Sequence, residues 1–207
     1  MPESYLIGIA GPSGAGKTYL AQHLAQELNG LVLPIDAYYH DLAHLPPTER
    51  PRTNFDDPAA IDHRLLIKHV SQLLRGELAE VPRYDFATHT RMAGTRTFGP
   101  AGVIIIEGLF ALYWPEMREL LHSRIYVDMS HDVCFERRLA RDVTERGRSP
   151  ESVHQQYWTT VAPMAERHVY PMKVHADVVV WGAGPAEEHI ARIREHMSPD
   201  FVRRGRK

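Results

Sequence analysis

The 207-residue sequence has few cysteines, little net charge and no long apolar run, and each shortage excludes a class of protein. Its single cysteine, Cys134, cannot form an internal disulfide framework or a cysteine zinc cluster. Lysine plus arginine number 24 against 26 for aspartate plus glutamate, so a net charge of −2 provides no overall basic field for nucleic acid. No apolar run approaches the ~20 residues of a membrane span, and no secretory signal is recognisable. We therefore expect a cytoplasmic protein that binds neither nucleic acid nor membranes.

Short apolar runs rich in β-branched residues alternate with helical patterns along the chain. The runs are typical of buried strands and cover 5–10, 31–35, 103–107, 124–129 and 177–181. Helices are predicted at 18–28, at 57–74 with Asp57 as N-cap and Pro58 at the first position, at 132–143 with Cys134 in the core, and at 149–168. This alternation predicts one α/β domain with a parallel sheet covered on both faces. Binding sites are then expected at the carboxyl ends of the strands.

Two segments interrupt the alternation. The segment 45–58 is rich in proline and too long for a simple connection, and 80–98 has the pattern of a β-hairpin or irregular flap. Long ordered connections are usually functional, so we expect both to serve a site. The last residues, 200–207, end in RRGRK and are predicted to be a frayed basic tail.

The stretch GPSGAGKT matches the pattern G-x-x-x-x-G-K-[ST] between a predicted strand and a predicted helix. Its glycines let the backbone turn tightly and direct N–H groups at a phosphate, to which the following helix also presents its positive end. Lys17 supplies a cation for the β- and γ-phosphates, and the Thr18 hydroxyl suits Mg²⁺. The phosphate loop is therefore predicted to comprise Gly11, Pro12, Ser13, Gly14, Ala15, Gly16, Lys17 and Thr18.

Two carboxylates end predicted strands, where the phosphates are expected. A kinase needs one carboxylate to orient an acceptor hydroxyl and accept its proton, and another for magnesium. Asp36 suits the first role, although it could instead cap the start of a loop. Glu107 suits the second, because a buried carboxylate after four apolar residues needs a partner. Asp56 is equally consistent with binding sugar hydroxyls and with turn chemistry before Pro58.

Five arginines lie within twelve residues of the stretch RRLARDVTERGR, which also contains a possible glycine hinge. Guanidinium groups on a closing lid can neutralise charge on a transferred phosphoryl group and exclude water. The alternative is a solvated helix with ion pairs such as Arg138 to Asp142. We expect a lid over 138–150.

The flap and the residues after the second strand combine aromatic and hydrogen-bonding side chains. A flat acceptor with polar edges, such as a nucleobase, would suit Tyr38, Tyr39, Tyr84, Phe86, His89 and Arg91. Ordinary packing of a tyrosine-rich hairpin would produce the same composition.

Together these stretches resemble the uridine kinase (uridine-cytidine kinase) family of P-loop kinases. The resemblance runs from about residue 5 to 180 and includes DAYY, NFDDPAAID, VPRYDFATHTR, VIIIEGLFALY, QQYW, VAPM and ADVVV in family order. It implies transfer of the γ-phosphoryl of ATP or GTP to the 5′-hydroxyl of uridine or cytidine. It also implies a homotetramer with feedback inhibition by CTP or UTP.

The resemblance assigns roles to particular positions. Asp36 falls on the position of the family's catalytic base. Thr18, Glu107 and Asp36 fall on its magnesium site. Lys17, Arg141 and Arg146 fall on its catalytic cations. The nucleoside positions are Tyr39, Asp56, Tyr84, His89, Arg138, Arg148 and Gln156. Departures from the family pattern are Pro12, Ser13, Gly14 and Ala15 in the phosphate loop, Asp57 and Ala59 in NFDDPAAID, and Trp181 and Gly182 after the last strand.

Two other functions remain open at this stage. A related P-loop kinase for another acceptor, such as phosphoribulokinase or pantothenate kinase, would share most motifs. A nucleotide-hydrolysing switch would share the phosphate loop, but the sequence lacks an N-K-x-D base-reading motif.

Overall fold

The computed structural model describes residues 4–197 and has a parallel five-stranded sheet at its centre. Spatial order in the sheet is β2-β5-β1-β6-β7, and all four neighbouring pairs are parallel. Its strands are β1 (Tyr5–Ala10), β2 (Leu31–Pro34), β5 (Val103–Glu107), β6 (Ser123–Asp128) and β7 (Val178–Trp181). A separate antiparallel hairpin consists of β3 (Ala79–Asp85) and β4 (Thr90–Phe98), which confirms the predicted hairpin.

The helices are α1 (Lys17–Leu28), α2 (His63–Leu74), α3 (Pro115–Leu120), α4 (His131–Thr144), α5 (Pro150–Gln156), α6 (Ala162–Met164) and α7 (Ala186–His196). Within the described part of the chain, no helix combines the length and apolarity needed to cross a bilayer. The predicted tail at 200–207 lies outside the described residues.

Side chains that alternate along the central strands form two separate apolar cores, one on each face of the sheet. Leu6 and Ile104 belong to the core that includes side chains of α2, α3 and the hairpin. Ile7 and Ile105 belong to the core that includes side chains of α1, α7 and Cys134 of α4. Because successive residues of a strand point to opposite faces, continuous apolar runs are required to fill both cores. The predicted α/β fold, with its sheet covered on both faces, is confirmed.

The predicted start of the second helix is wrong. Asp57 caps only a 3₁₀ turn, Pro58–Ala60, by accepting from the N–H of Ala59 at 2.8 Å. Ile61 is then extended and forms an antiparallel bridge with Tyr39, so helix α2 begins at His63 with Asp62 as its N-cap. Tertiary pairing of Ile61 therefore interrupts a pattern that looks continuous in the sequence.

The helix predicted over 149–168 begins as expected but does not remain regular. The Ser149 hydroxyl accepts from the N–H of Ser152 at 3.2 Å, which makes it the N-cap. Two π-helical turns, Tyr157–Val161 and Ala165–Val169, flank the short α6, which contains Pro163. Proline has no N–H and crowds the preceding turn, which explains why the helix widens around it.

Candidate active site

The phosphate loop connects β1 to α1 at the carboxyl edge of the sheet, and its glycines are required by its conformation. Gly11, Gly14 and Gly16 have φ angles of 147°, 87° and 100°, which side-chain-bearing residues rarely adopt. A Cβ atom on Gly11 would lie 2.3 Å from the carbonyl oxygen of Val127, and one on Gly14 would lie 2.5 Å from that of Cys134. The loop thus fits against β6 and α4 only because these positions lack side chains.

Lys17 lies inside the curve of this loop. Its ammonium group donates to the carbonyl oxygen of Pro12 at 2.8 Å, and the side chain is buried. Burial lowers the pKa of Lys17, while the carboxylates of Glu107 and Asp36 act in the opposite direction. The two carboxylates thus oppose the effect of burial on Lys17 and favour its charged form.

Asp36, Glu107 and Thr18 form an oxygen-rich group beside Lys17. The Thr18 hydroxyl donates to Glu107 Oε2 at 3.3 Å, and Asp36 lies in the 3₁₀ turn Ile35–Tyr38 that directly follows β2. Burial, and then the charge of Asp36, raises the pKa of Glu107 to about 7. Burial likewise raises the pKa of Asp36, against the effect of Lys17 and two arginines.

Oxygen atoms of this kind are the ligands that Mg²⁺ prefers. No cluster of three or more His, Cys, Asp and Glu side chains suited to a metal occurs within 4–197. Mg²⁺ usually takes one or two carboxylates and completes its octahedron with waters and phosphate oxygens. The Thr18 hydroxyl and the carboxylates of Asp36 and Glu107 fit that kind of site. The raised pKa of Glu107 fits it as well, because a bound cation would lower that pKa.

A cavity of about 590 Å³ extends from the phosphate loop to the hairpin. Aromatic side chains form its far end: the Tyr39 ring contacts Tyr84 and Phe86, and Phe55 stacks on His89 with ring centroids 4.7 Å apart. The Tyr84 hydroxyl is buried without a hydrogen-bond partner among the described residues. This end offers flat apolar faces with unused polar atoms at their edges.

His89 is held in an uncommon backbone conformation at the tip of the hairpin. Its φ of 55° lies in the left-handed region, which non-glycine residues seldom adopt. Burial lowers the pKa of His89, and the charges of Arg146 and Arg148 lower it further. The imidazole is therefore neutral near pH 7 and has one donor and one acceptor nitrogen.

Two residues of the predicted acceptor group do not line the cavity. Tyr38 is fully buried and its hydroxyl pairs with Nδ1 of His69 at 3.0 Å. Arg91 instead joins the hairpin to the body of the protein by donating to the carbonyl oxygens of Tyr39 and Tyr38 and to Asp62, at 3.0 to 3.3 Å. Both therefore support the cavity wall from behind.

The arginines form one side of the cavity. Arg138 donates to both carboxylate oxygens of Asp56 at 3.3 and 3.5 Å and to Gln156 at 3.3 Å. Arg146 lies over the ring of Phe86, with 4.9 Å between its guanidinium carbon and the ring centroid, so the arginine segment touches the hairpin. The alternative of a solvated helix is wrong for Arg138, which is only 7% exposed.

Most of the predicted site residues meet at this one cavity. Those that line it are Ser13, Gly14, Gly16, Lys17, Thr18, Asp36, Tyr39, Asp56, Tyr84, His89, Glu107, Arg138, Arg141, Arg146, Arg148 and Gln156. Three residues of the phosphate loop, Gly11, Pro12 and Ala15, lie outside the lining. Pro12 contributes its carbonyl oxygen to Lys17.

Sequence reasoning gave no individual role to two residues that shape the site. The guanidinium of Arg137 bridges the carbonyl oxygens of Gly14 and Gly182, at 3.2 and 3.0 Å. Asp142 contacts four arginines with a fully buried carboxylate. Arg137 belonged to the arginine-rich stretch, whereas nothing local distinguished Asp142 from the acid of an exposed ion pair.

A second cavity, of about 260 Å³, adjoins the phosphate loop where the sequence departs from the family pattern. Gly16, Arg137, Gly182 and His189 are among its lining residues. A Cβ atom on Gly182 would lie 1.9 Å from the carbonyl oxygen of Ala15, so this backbone has no room for a side chain there. The close approach of the two loops accounts for glycine at position 182; nothing in the structure explains Trp181, which is half exposed.

A parallel sheet, a phosphate loop at its carboxyl edge and facing carboxylates and arginines together define a P-loop kinase. The sequence model of the Phosphoribulokinase / Uridine kinase family matches residues 6–185, and the chain belongs to that family. It is 41% identical over 200 residues to the uridine kinase of Vibrio parahaemolyticus serotype O3:K6 (93% of this chain, 94% of the relative). It is 44% identical over 182 residues to that of Shewanella frigidimarina (84% and 86%).

Solved structures agree on the fold. One titled a possible uridine kinase, from Bacillus stearothermophilus, superposes with a TM-score of 0.56 at 25% identity and covers 86% of this chain and 89% of its own. D-glycerate 3-kinase from Cryptococcus neoformans var. grubii superposes with a TM-score of 0.59 at 16% identity, over 80% and 79% of the two chains. The latter likeness concerns architecture alone.

Proposed function

We propose that this protein is a uridine/cytidine kinase that transfers the γ-phosphoryl group of ATP or GTP to the 5′-hydroxyl of a pyrimidine ribonucleoside, giving UMP or CMP. One observation carries the proposal. The same cavity has the phosphate loop at one end, aromatic rings and the His89 imidazole at the other end, and Asp36 in its wall. The uridine kinase relatives, at 41% and 44% identity, support the same acceptor.

Asp36 has the role of general base in this proposal. The acceptor oxygen forms a bond to the γ-phosphorus, the bond from that phosphorus to the bridging oxygen breaks, and the hydroxyl proton passes to the Asp36 carboxylate. A raised pKa makes Asp36 a better proton acceptor, while Lys17 and the arginines keep it ionised before the proton arrives.

Cations around the cavity balance the charge of the transferred group. Lys17, Arg141 and Arg146 all line the cavity near Asp36 and are proposed to hold the phosphate oxygens. Thr18, Glu107 and Asp36 would hold Mg²⁺, which when bound supplies additional positive charge at the β- and γ-phosphate oxygens. By closing over the cavity, residues 138–150 and the flap 80–98 would exclude water and favour the acceptor as nucleophile.

The nucleoside is proposed to lie at the aromatic end. Asp56, held by Arg138, faces the cavity and can accept hydrogen bonds from ribose hydroxyls, while Tyr39 and Tyr84 flank the base. His89 is proposed to read the pyrimidine edge, because a neutral imidazole can donate to one base and accept from the other. Arg148 and Gln156 complete this wall.

The donor base is proposed to occupy the second cavity, beside Gly182 and His189. That cavity adjoins the phosphate loop, and the buried Nε2 of His189 has no hydrogen-bond partner among residues 4–197.

A kinase acting on a sugar phosphate would need free basic groups at the acceptor end. Here Arg138 and Arg148 are occupied by Asp56, Asp142 and Gln156, which disfavours that alternative.

The test is an assay of ADP release from Mg-ATP, or of GDP release from Mg-GTP, against uridine, cytidine, purine nucleosides, pantothenate and ribulose 5-phosphate. We expect turnover that depends on uridine or cytidine. Turnover with pantothenate or ribulose 5-phosphate alone would assign a related kinase, and ADP release without dependence on any acceptor would favour the hydrolysing switch.

Residues 1–207 are proposed to form one kinase domain, and we propose a homotetramer regulated by CTP or UTP in accordance with the resemblance. Light scattering gives the mass in solution, and addition of CTP or UTP to the same assay tests regulation. A monomer by light scattering, or turnover unaffected by either nucleotide, would contradict these two points.

A further inference from the structure

A fully buried carboxylate lies behind the arginine side of the cavity. Asp142 is in α4, its exposure is 0%, and it does not line the cavity itself. Arg138, Arg141, Arg146 and Arg148 all have a guanidinium nitrogen within 2.8 to 3.7 Å of its oxygens. These are the four arginines to which the proposed function assigns phosphate and nucleoside contacts.

The two oxygens of Asp142 are shared between the arginines. Oδ1 accepts from Nε and Nη2 of Arg141 at 2.9 and 2.8 Å and lies 3.5 Å from Nη1 of Arg146. Oδ2 lies 3.5 Å from Nε of Arg138 and 3.7 Å from Nη1 of Arg148. One carboxylate is therefore paired with all four guanidinium groups, through hydrogen bonds with Arg141 and through charge with the other three, and all four arginines line the cavity.

The charge balance shows why this arrangement needs an anion in the absence of ligand. Four guanidinium groups so close together repel one another, and among residues 4–197 only Asp142 and Asp56 form ion pairs with them. Without Asp142, the arginines would separate toward solvent and would have to be gathered again as the phosphoryl group is transferred. With it, they are already in place and a net positive charge remains for the phosphates.

Arg138 connects the two ends of the site. Its Nη atoms hold Asp56 at the acceptor end, and its Nε faces Asp142 among the lid arginines. Arg138 therefore contacts both Asp56 and the carboxylate that is paired with Arg141 and Arg146.

We propose that Asp142 is a positioning residue that holds the four arginines in the geometry needed by the transferred phosphoryl group. This rests on the proposed function, in which those arginines contact the phosphates and the nucleoside. Asp142 touches neither substrate, so its effect is exerted through the guanidinium groups.

Asp142→Asn tests the proposal because it removes the charge and keeps the shape. We expect kcat to fall about 100-fold, since misplacement of about 1 Å has such an effect. The KM for Mg-ATP should stay the same or decrease, because the lost negative charge leaves the site more positive. A kcat within threefold of wild type, or a raised KM with kcat retained, would overturn the proposal.

Asp132→Asn is the matched control, because it makes the same change at an exposed position of the same helix. It should leave kcat and both KM values unchanged. Asp142→Glu restores the charge with one extra methylene, and we expect it to recover part of the lost kcat. Equal losses in the Asn and Glu variants would indicate packing and overturn the assignment.

A measurement on the wild-type protein covers the case in which the Asn variant does not fold. In ¹⁵N-arginine NMR spectra of the ligand-free full chain, assigned with an Arg141→Lys variant, the guanidinium group of Arg141 should rotate slowly and exchange slowly with solvent, because it donates to Asp142. Arg138 does not serve as the reporter, since Asp56 and Gln156 hold it as well. A rapidly rotating Arg141 guanidinium, like that of an exposed arginine, would overturn the proposal without any kinetic experiment.

The outcomes separate this proposal from the proposed function. If the acceptor panel identifies another acceptor, the Asp142→Asn comparison is made with that acceptor and retains its meaning. If no acceptor supports turnover, the NMR spectra still report whether Asp142 orders the arginines. Failure of the pyrimidine assignment and failure of the Asp142 assignment therefore give different results.

Discussion

At the scale of single residues, Asp36 and Glu107 are two carboxylates whose surroundings suit them to different proposed roles. Both follow buried strands, and the pKa of each is raised by burial. Arg141 and Arg146 act electrostatically on Asp36, whereas the Thr18 hydroxyl donates to Glu107. Asp36 thus lies nearer the arginines proposed to bind the phosphoryl group, and Glu107 lies nearer the hydroxyl proposed to bind magnesium.

Replacement of Asp36 by Asn should abolish transfer without abolishing donor binding. The amide keeps the shape but cannot accept the hydroxyl proton, so we expect kcat to fall by about a thousandfold. Binding of metal-free ATP, measured by isothermal titration calorimetry in EDTA, should change little, since Asp36 is proposed to hold Mg²⁺ and the acceptor hydroxyl and not the nucleotide itself. A variant that retains more than a tenth of the wild-type kcat would contradict the role of general base.

Glu107 should make the stability of the metal-free protein depend on pH. Its folded-state pKa of about 7 lies above the ordinary value of 4.5, so the folded state binds the proton more tightly than the unfolded state. The stabilisation is fully present below pH 4.5 and is lost as the pH rises through about 7. A difference of one between the two pKa values corresponds to about 1.4 kcal/mol, and 7 − 4.5 = 2.5, so the loss is on the order of 3 to 4 kcal/mol.

Thermal unfolding in EDTA between pH 5 and 8 checks this expectation. The Tm of the wild-type protein should fall with rising pH relative to that of Glu107→Gln, which cannot titrate at this position. Parallel curves for the two proteins would show that Glu107 has an ordinary pKa in the fold.

At the scale of elements, the hairpin β3–β4 and the loop after β7 each have a contact that helps to hold them against the site. Arg91 joins the hairpin to the residues after β2, through Tyr38 and Tyr39, and to the cap of α2 at Asp62. Gly182 brings the loop after β7 against Ala15 of the phosphate loop. The two contacts serve opposite ends of the cavity, so their loss should affect different substrates.

Arg91→Leu should weaken acceptor binding selectively. Without the three hydrogen bonds, Tyr84 and His89 are no longer held over the cavity, and we expect the acceptor KM to rise about tenfold, which corresponds to about 1.4 kcal/mol. The donor KM should not change. Arg83→Leu, at an exposed position of the same hairpin, is the control. Equal effects of the two substitutions would indicate a general loss of hairpin stability.

Gly182→Ala should have the opposite selectivity. The added methyl group would require the loop after β7 to move away from Ala15, which disturbs the bridge from Arg137 to Gly14 and Gly182. Steady-state kinetics should show a raised KM for Mg-ATP and an unchanged acceptor KM. Gly102→Ala serves as control because nothing lies within 4 Å of its added Cβ. An unaffected donor KM would mean that this loop does not border the donor site.

At the scale of the whole molecule, the sheet separates two cores and presents one edge to both substrates. Apolar packing lies on its two faces, while the ionisable side chains of the site gather at its carboxyl edge. The hairpin and the arginine segment come from opposite parts of the chain and meet where Arg146 lies over Phe86. Because they share one cavity, donor and acceptor should influence each other's binding.

Binding of the two substrates should be cooperative. We expect a non-hydrolysable ATP analogue with Mg²⁺ and uridine to raise Tm together by more than the sum of their separate effects. The reason is that each ligand orders one of two segments that contact each other. Differential scanning fluorimetry measures this, with a purine nucleoside in place of uridine as the control. Additive shifts would indicate independent binding at the two ends.

The parts of the fold and site that could be predicted are those with a local cause. β1 and β5 were predicted with their observed ends because a continuous apolar run needs burial on both faces. The phosphate loop was recognisable because three positive φ angles and a close approach to neighbouring backbone demand glycine. Asp36 and Glu107 could be placed together because parallel strands bring their carboxyl ends to one edge.

The remainder depends on contacts between residues far apart in sequence. Pairing of Ile61 with Tyr39 moved the start of α2, and the approach of Gly182 to Ala15 shaped the second cavity. Asp142 has the same sequence context as the acid of a surface pair, and it becomes the centre of four arginines only because α4 and the following loop fold over it. Backbone conformation and apolar periodicity are local properties and can be read along the chain. Burial of a charge is a property of the assembled fold, since segments from β2 to α5 together exclude the water.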